Sequence, residues 1–384
     1  MNELKRFICC INNNYKKNKS NYNLYNDNHK KWICLENSGN IPSERSGHES
    51  IIINNKMYLF GGVDNYNCFL NDLFEFNLDT HIWKKINYKN DAPNIRASFA
   101  MCKGFYDNTI LLCGGATITD VTKDLYEFNT RTKIWTKLYD NFTLFYGLSI
   151  SLYKNSLLVF GGTKGIIFSN QLFEYNLITN EQKEIITSGD IPTPRYKHQA
   201  IISDNYLYII GGGSFKPING LIDVYKLNIN TLIWKKIKIS GKIPICRAAH
   251  TCQLDTYTKN IIIFGGFDHN LNRLNDYYLF DIIKNKWIDL NDKFNNNYFF
   301  PSKRSFSSSC FYNNGFYIIC GSDSNKRYND IWNYQFRSSP PSLTILCSII
   351  IHNIYNKNDI LHLNIPDELK LGILTMNKYS TNLS

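Results

Sequence analysis

The sequence predicts an all-β chain built from six copies of one four-stranded unit, and three observations carry that prediction. Strand-like apolar runs end in a glycine doublet at "MYLFGG", "ILLCGG", "LLVFGG", "LYIIGG" and "IIIFGG", with a degraded sixth at "YIICGS". The first glycines fall at 61, 114, 161, 211 and 265, so the steps are 53, 47, 50 and 54 residues. A second marker keeps the same beat: "DLFEFNLDTHIW", "DLYEFNTRTKIW", "QLFEYNLITNEQ", "DVYKLNINTLIW", "DYYLFDIIKNKW" and "DIWNYQF". Each is an alternating strand and a polar turn, followed in four of the six by a tryptophan that opens a further strand. The third copy carries Gln182 in the tryptophan's place.

Taken in order, each unit is a strand after a Pro-x-x-Arg-like loop, an apolar strand ending in Gly-Gly, an alternating strand, and a Trp-initiated strand. Glycines that end the second strand lack a Cβ and are expected to accept the indole of their own unit. A twisted four-stranded sheet buries neither face alone, and radial stacking of such sheets hides both while leaving only short edges. A fixed period near 50 residues is the signature of such an array. These residues resemble the kelch repeat, over about residues 30–337, and the resemblance implies a β-propeller of six blades.

The last unit ends after "DIWNYQF" without a Trp-initiated strand, while an orphan "KKWICLEN" at 30–37 precedes the first loop. Trp32 marks the missing strand, so the N-terminal segment is expected to complete the last blade and close the ring.

Composition sets the outer bounds. At 384 residues, with 43% apolar and 15% aromatic content, the chain can bury a sizeable core. Residues 1–29 lack the continuous apolar stretch of a secretory signal and read as a basic, disordered tail. No run reaches the roughly 20 apolar residues that span a bilayer. Eleven cysteines without a CxxC pair suggest neither a disulfide framework nor a zinc site, and reduced thiols fit a cytoplasmic or nuclear setting. The net charge of +11 raises the question of nucleic acid. Seven basic residues against two acids in residues 1–31, set against three and three in 338–384, make the excess partly a property of the tail. No nucleic-acid partner is expected.

Candidate binding residues come from the loop before each first strand, which carries Arg45, Arg96, Arg195, Arg247 and Arg304 at one fixed place, with Phe145 there in the third unit. In a ring these positions gather about one axis, and converging guanidiniums would hold a peptide carboxylate or acidic side chain. Kelch proteins that bind peptides use arginines at this position, which is what the resemblance adds. The competing reading is that these arginines only support neighbouring turns. Ser46, Ser98, Tyr196 and Ser305 are the adjacent candidates. His48, His198 and His250 each follow an arginine by three residues, and packing inside each blade is the expected role. No nucleophile elbow, phosphate-binding glycine loop or HExxH pattern occurs. The expectation is a non-catalytic protein with no cofactor and no metal.

After "QFRSSPP" the period changes. Leu343, Leu346, Cys347, Ile350 and Ile351 recur at helical spacing, and Pro366 with Asp367 and Glu368 reads as a second helix start. Residues 338–376 are therefore expected to form a small helical segment, with 377–384 a tail. "SLTILCSIII" resembles the elongin-binding BC box through Ser342, Leu343, Cys347 and Ile351. "LHLNIPDEL" resembles a cullin box through Leu363, Ile365 and Pro366, although Asn364 stands where one subtype has proline. The order of segments resembles the kelch-domain substrate receptors of cullin-RING ubiquitin ligases. That resemblance implies elongin B/C and a cullin as partners and a peptide degron in the propeller. The alternative is a kelch interaction scaffold whose C-terminal helices are structural.

Overall fold

The structure, a computed structural model, describes residues 32–88, 92–142, 145–291 and 300–336, and among these the regular structure is β-strand. The expected helical segment at 338–376 and the tail at 1–29 lie outside the described residues. No helix among the described residues is long and apolar enough to cross a membrane.

Six antiparallel groups follow the sequence repeat. In unit 1 the inner strand Glu49–Ile53 pairs with Lys56–Asp64, then Phe69–Asn77, then Ile82–Lys85. Units 2 to 5 repeat the pattern, with inner strands Ala100–Lys103, Ser149–Tyr153, Gln199–Ser203 and Thr251–Asp255. Unit 6 supplies Ser308–Tyr312, Gly315–Ser322 and Arg327–Gln335. Its fourth strand is Trp32–Cys34, paired antiparallel with Trp32 opposite Tyr334. The inner strands lie beside one another in cyclic order, unit 6 beside unit 1. Arg45–Ser46 also pairs with Asp64 and Val63, and Arg45 with Tyr328, joining units 6 and 1 into one ten-stranded sheet.

Packing explains the tryptophans. Trp135 meets Phe60 of the preceding unit at 5.3 Å between ring centres, and Trp234 meets Phe160 at 5.5 Å. Trp32 meets Phe264 of unit 5 at 5.6 Å. Each phenylalanine immediately precedes a glycine doublet, so Trp32 makes for unit 6 the contact that Trp135 and Trp234 make for theirs. In unit 3, where Gln182 replaces the indole, the joint with unit 2 is filled by Tyr139, Phe142 and Tyr175, whose rings lie 4.8 to 5.6 Å apart. Three smaller aromatics thus pack at this joint where other joints have an indole.

The expected contact between indole and glycine is not what the doublets serve. Gly61 and Gly62 have φ of 61° and 97°. A Cβ on Gly61 would lie 2.9 Å from the Arg96 carbonyl oxygen of the next unit, and one on Gly62 equally close to that of Ser46. Glycine is required because the chain turns left-handed where two loop backbones press against it.

The three histidines pack between units rather than inside each one. His48 of unit 1 shares a hydrogen bond of 2.8 Å with Ser308 of unit 6, and His198 of unit 4 one of 2.7 Å with Ser149 of unit 3. Neither ring nitrogen of His250 has a partner among the described residues. Burial and neighbouring arginines pull His48 and His250 down to about 3, and His198 falls in the same direction. These rings are neutral when folded but take up protons near pH 6.5 when unfolded, so their contribution is complete above that pH and is lost as pH falls toward 3. Glu49 acts oppositely: burial raises it to about 7, so its contribution is present at low pH and fades as pH rises through 7. With three histidines against one glutamate, the melting temperature should fall from pH 7 to pH 4. His250→Leu, the residue at the matching position in unit 3, should make that fall shallower; an unchanged pH profile would contradict the assignment.

Candidate interaction face

The loop before each inner strand bridges to the turn that follows the glycine doublet, pairing Ala97 with Ala116, Tyr146 with Thr163, Tyr196 with Gly213, Ala248 with Phe267 and Ser305 with Ser322. Both loop sets therefore share one end of each unit.

At this end the five repeat arginines turn inward, which corrects the expectation that they line a ligand site. Arg195 is buried, and its Nη1 and Nη2 donate to both carboxylate oxygens of Asp223 at 2.9 and 3.1 Å. Its Nε donates to the Thr193 carbonyl, Nη1 also to the Gly211 carbonyl, and Nη2 to Thr193 Oγ1. No donor is left for a guest. The same fork joins Arg45 to Asp72, Arg96 to Asp124, Arg247 to Asp276 and Arg304 to Asp330. Backbone completes the clamp, because the second glycine of one doublet donates to the carbonyl of the next unit's arginine, as Gly212 does to Arg247 at 2.9 Å. The arginine therefore locks its own unit through its side chain and the preceding unit through its main chain.

Unit 3 supplies the signal that sequence reading missed. Phe145 replaces the arginine and Gln171 replaces the aspartate of the alternating strand, so both halves of the pair are absent from one unit. Gln171 instead donates to Glu184 at 3.0 Å.

Two residues after each arginine position the chain turns left-handed, at Gly47, Ser98, Gly147, Lys197, Ala249 and Phe306, with φ between 49° and 67°. Each amide donates to the equivalent carbonyl of the preceding unit, Ser98 to Gly47, Gly147 to Ser98, Lys197 to Gly147, Ala249 to Lys197 and Phe306 to Ala249, at 2.7 to 3.1 Å. Gly47 donates to Phe306 at 2.9 Å, so the series returns to its start. Ser98 belongs to this ring, Ser46 Oγ accepts from Arg327 Nε at 3.1 Å, and Tyr196 and Ser305 are buried. Tyr196 packs edge-on to Tyr146 and Phe215. Of the four adjacent candidates, only Ser46 and Ser98 keep partial exposure.

What projects outward is different. The turns after the glycine doublets carry Tyr66, Ile118, Ile166, Ile218 and Leu271 on units 1 to 5, with Tyr66 87% and Ile166 91% exposed. The unit 6 turn is polar, with Ser324, Asn325 and Lys326 exposed. The unit 5 turn also carries Arg273, half-buried, its guanidinium 5.2 Å from the Phe267 ring centre. Nη1 donates to the Leu271 carbonyl at 2.8 Å, whereas Nε is buried without a partner among the described residues. Burial works against its charge, and Asp323 and Tyr196 offset that. No repeat signal marks Arg273, because it lies in a turn of variable length.

A family model for the KLHDC2/KLHL20/DRC7 Kelch-repeats domain matches residues 11–212, 140–253 and 202–342. The chain belongs to this kelch-repeat family. Kelch domain-containing protein 10 of Xenopus laevis is 26% identical over 331 residues, spanning 80% of this chain and 78% of its own length. The human protein of that name is 27% identical over 275 residues, spanning 65% and 61%. Kelch domain-containing protein 2 of Bos taurus is 26% identical over 295 residues, spanning 65% and 70%. The chain thus covers less than two thirds of some of these relatives.

For a kelch-repeat chain of this strand order, membership supports an all-β interaction domain, and the exposed kelch turns are where a partner can be met without disturbing the arginine clamps. Among the described residues no group of three His, Cys, Asp or Glu is arranged to hold a metal. The proposed elongin- and cullin-contacting residues, Ser342, Leu343, Cys347, Ile351, Leu363, Ile365 and Pro366, lie outside the described residues.

Proposed function

We propose that the six antiparallel groups form one closed six-bladed kelch propeller, completed by the strand at Trp32, and that the protein is a substrate-recognition subunit of an elongin-cullin-RING ubiquitin ligase. The loop face captures a protein segment, residues 338–376 engage elongin C and a cullin, and ubiquitin transfer occurs on other subunits. The observation that carries the capture role is the loop face itself. Five successive turns carry exposed apolar tips, and the unit 5 turn adds Arg273, a cation with a buried donor that has no partner among the described residues. An extended segment with apolar side chains and one carboxylate, at its C terminus or on an acidic residue, matches that arrangement. The adaptor role rests on the spacing of Leu343, Cys347 and Ile351, which four-residue steps bring to one helix face.

Two measurements on the full chain test the two halves separately. Pull-down with elongin B/C should recover a complex that Leu343→Arg with Cys347→Lys abolishes; no complex, or one indifferent to those changes, would contradict the adaptor role and favour a kelch scaffold. Selection from a displayed peptide library should enrich carboxylate-bearing peptides, and Arg273→Glu should lower their affinity at least tenfold with the melting temperature unchanged. Equal affinity would remove Arg273 from the site.

A further inference from the structure

The inner strands of all six units line an open cavity of about 490 Å³ that the capture role does not use. Lys197 lines it, only 9% exposed, and its Nζ forms no hydrogen bond or ion pair with the described residues. Among the described residues its ring contact is with Phe306, whose centre lies 5.8 Å away. Lys197 occupies a ring position where the chain is left-handed, at φ 49°, and units 1 and 3 have glycine there. A lysine in that conformation on a residue only 9% exposed carries both backbone strain and desolvation. Ser98, Ala249 and Phe306 share the left-handed backbone, so what sets Lys197 apart is an amine with no partner among the described residues.

We propose that the central cavity is a second binding site, for a small organic carboxylate anchored by Lys197. The anchor is the amine of a residue only 9% exposed, where a charge-assisted hydrogen bond contributes more than in bulk water. Glu49 also faces the cavity and each of the two groups influences the other's charge, yet they form no ion pair. Lys103 also lines the cavity, so two amines stand against one carboxyl and the balance of charge favours a guest carboxylate. Ile51, Met101 and Leu148 offer apolar wall to its carbon chain. The volume is that of a metabolite-sized pocket. Phe306 packs on Phe267 at 5.8 Å, and Arg273 covers the other ring, so the two sites are separated by two stacked aromatics.

Calorimetric titration and thermal shift of the full chain with acetate, butyrate, succinate and citrate test this. At least one of these acids should titrate and raise the melting temperature, and Lys197→Gly should weaken it at least tenfold. Glycine relieves the left-handed strain, so this variant should melt no lower than the parent, and lost binding cannot then be ascribed to misfolding. Arg273→Glu should leave carboxylate affinity unchanged, which distinguishes the cavity from the loop face. The proposal is overturned if none of the four acids shifts the parent's melt, if Lys197→Gly binds equally well, or if Arg273→Glu abolishes the response.

Discussion

Arg195→Glu should unfold the propeller rather than empty a binding site. The substitution places a carboxylate against Asp223 in a buried pocket and strips donors from the Gly211 and Thr193 carbonyls. Breaking a buried pair from one side costs about 3–5 kcal/mol, because the remaining charge is left uncompensated. Asp223→Ala should cost a similar amount, moderated by the partial exposure of its carboxylate. A stringent companion is the double replacement Arg195→Phe with Asp223→Gln, which copies unit 3. It removes both charges together and should recover much of the loss, since exchanging a whole buried pair for apolar surface is often close to neutral. Denaturant midpoints report all three. A parent-like midpoint for Arg195→Glu would return the arginine to the loop surface and revive its role as a ligand.

Trp32→Ala should be as damaging as a core truncation anywhere in the ring. Trp32 is buried against Phe264 and Tyr277 of unit 5 and Phe316 and Tyr334 of unit 6, with ring centres 5.2 to 6.2 Å away. Truncating such a residue costs about 3–5 kcal/mol. Removing residues 1–37 should go further, because it also exposes the edge of Arg327–Gln335 and opens the joint between the last unit and its neighbours. Both variants should show a single transition at lower temperature. A truncated chain with the parent's melting temperature would show that the segment is an ornament of one edge.

Legibility in the sequence followed local periodicity. Glycine doublets, alternating strands and tryptophans are properties of single strands, so the unit and its four members could be read directly. Trp32 could be matched to its unit because one motif was missing at one end and spare at the other. The arginine loops were equally visible, but their direction was not. Whether a guanidinium points to solvent or into its own sheet depends on a partner some 28 residues away, as Arg96 and Asp124 illustrate. The clue was the joint loss of arginine and aspartate at Phe145 and Gln171, which becomes meaningful only when two columns of the repeat are compared. The histidines lay beyond reach for a related reason: their partners Ser308 and Ser149 belong to adjacent units, and neighbours in a ring are not neighbours in sequence. Arg273 and Lys197 break the repeat rather than follow it, which is why periodicity passed over them. Function is expected at such departures, where local rules give way to a specific demand.

The central structural claim is that the ring is continuous, with the junction between units 6 and 1 no weaker than the others. Amide hydrogen exchange at Gly47, Ser98, Gly147, Lys197, Ala249 and Phe306 measures this directly, since each of those amides bonds to the preceding unit. A closed ring predicts that all six exchange slowly and together, through global unfolding, and that Trp32→Ala accelerates all of them. Fast exchange confined to Gly47, with the other five protected, would show an open seam and contradict the account.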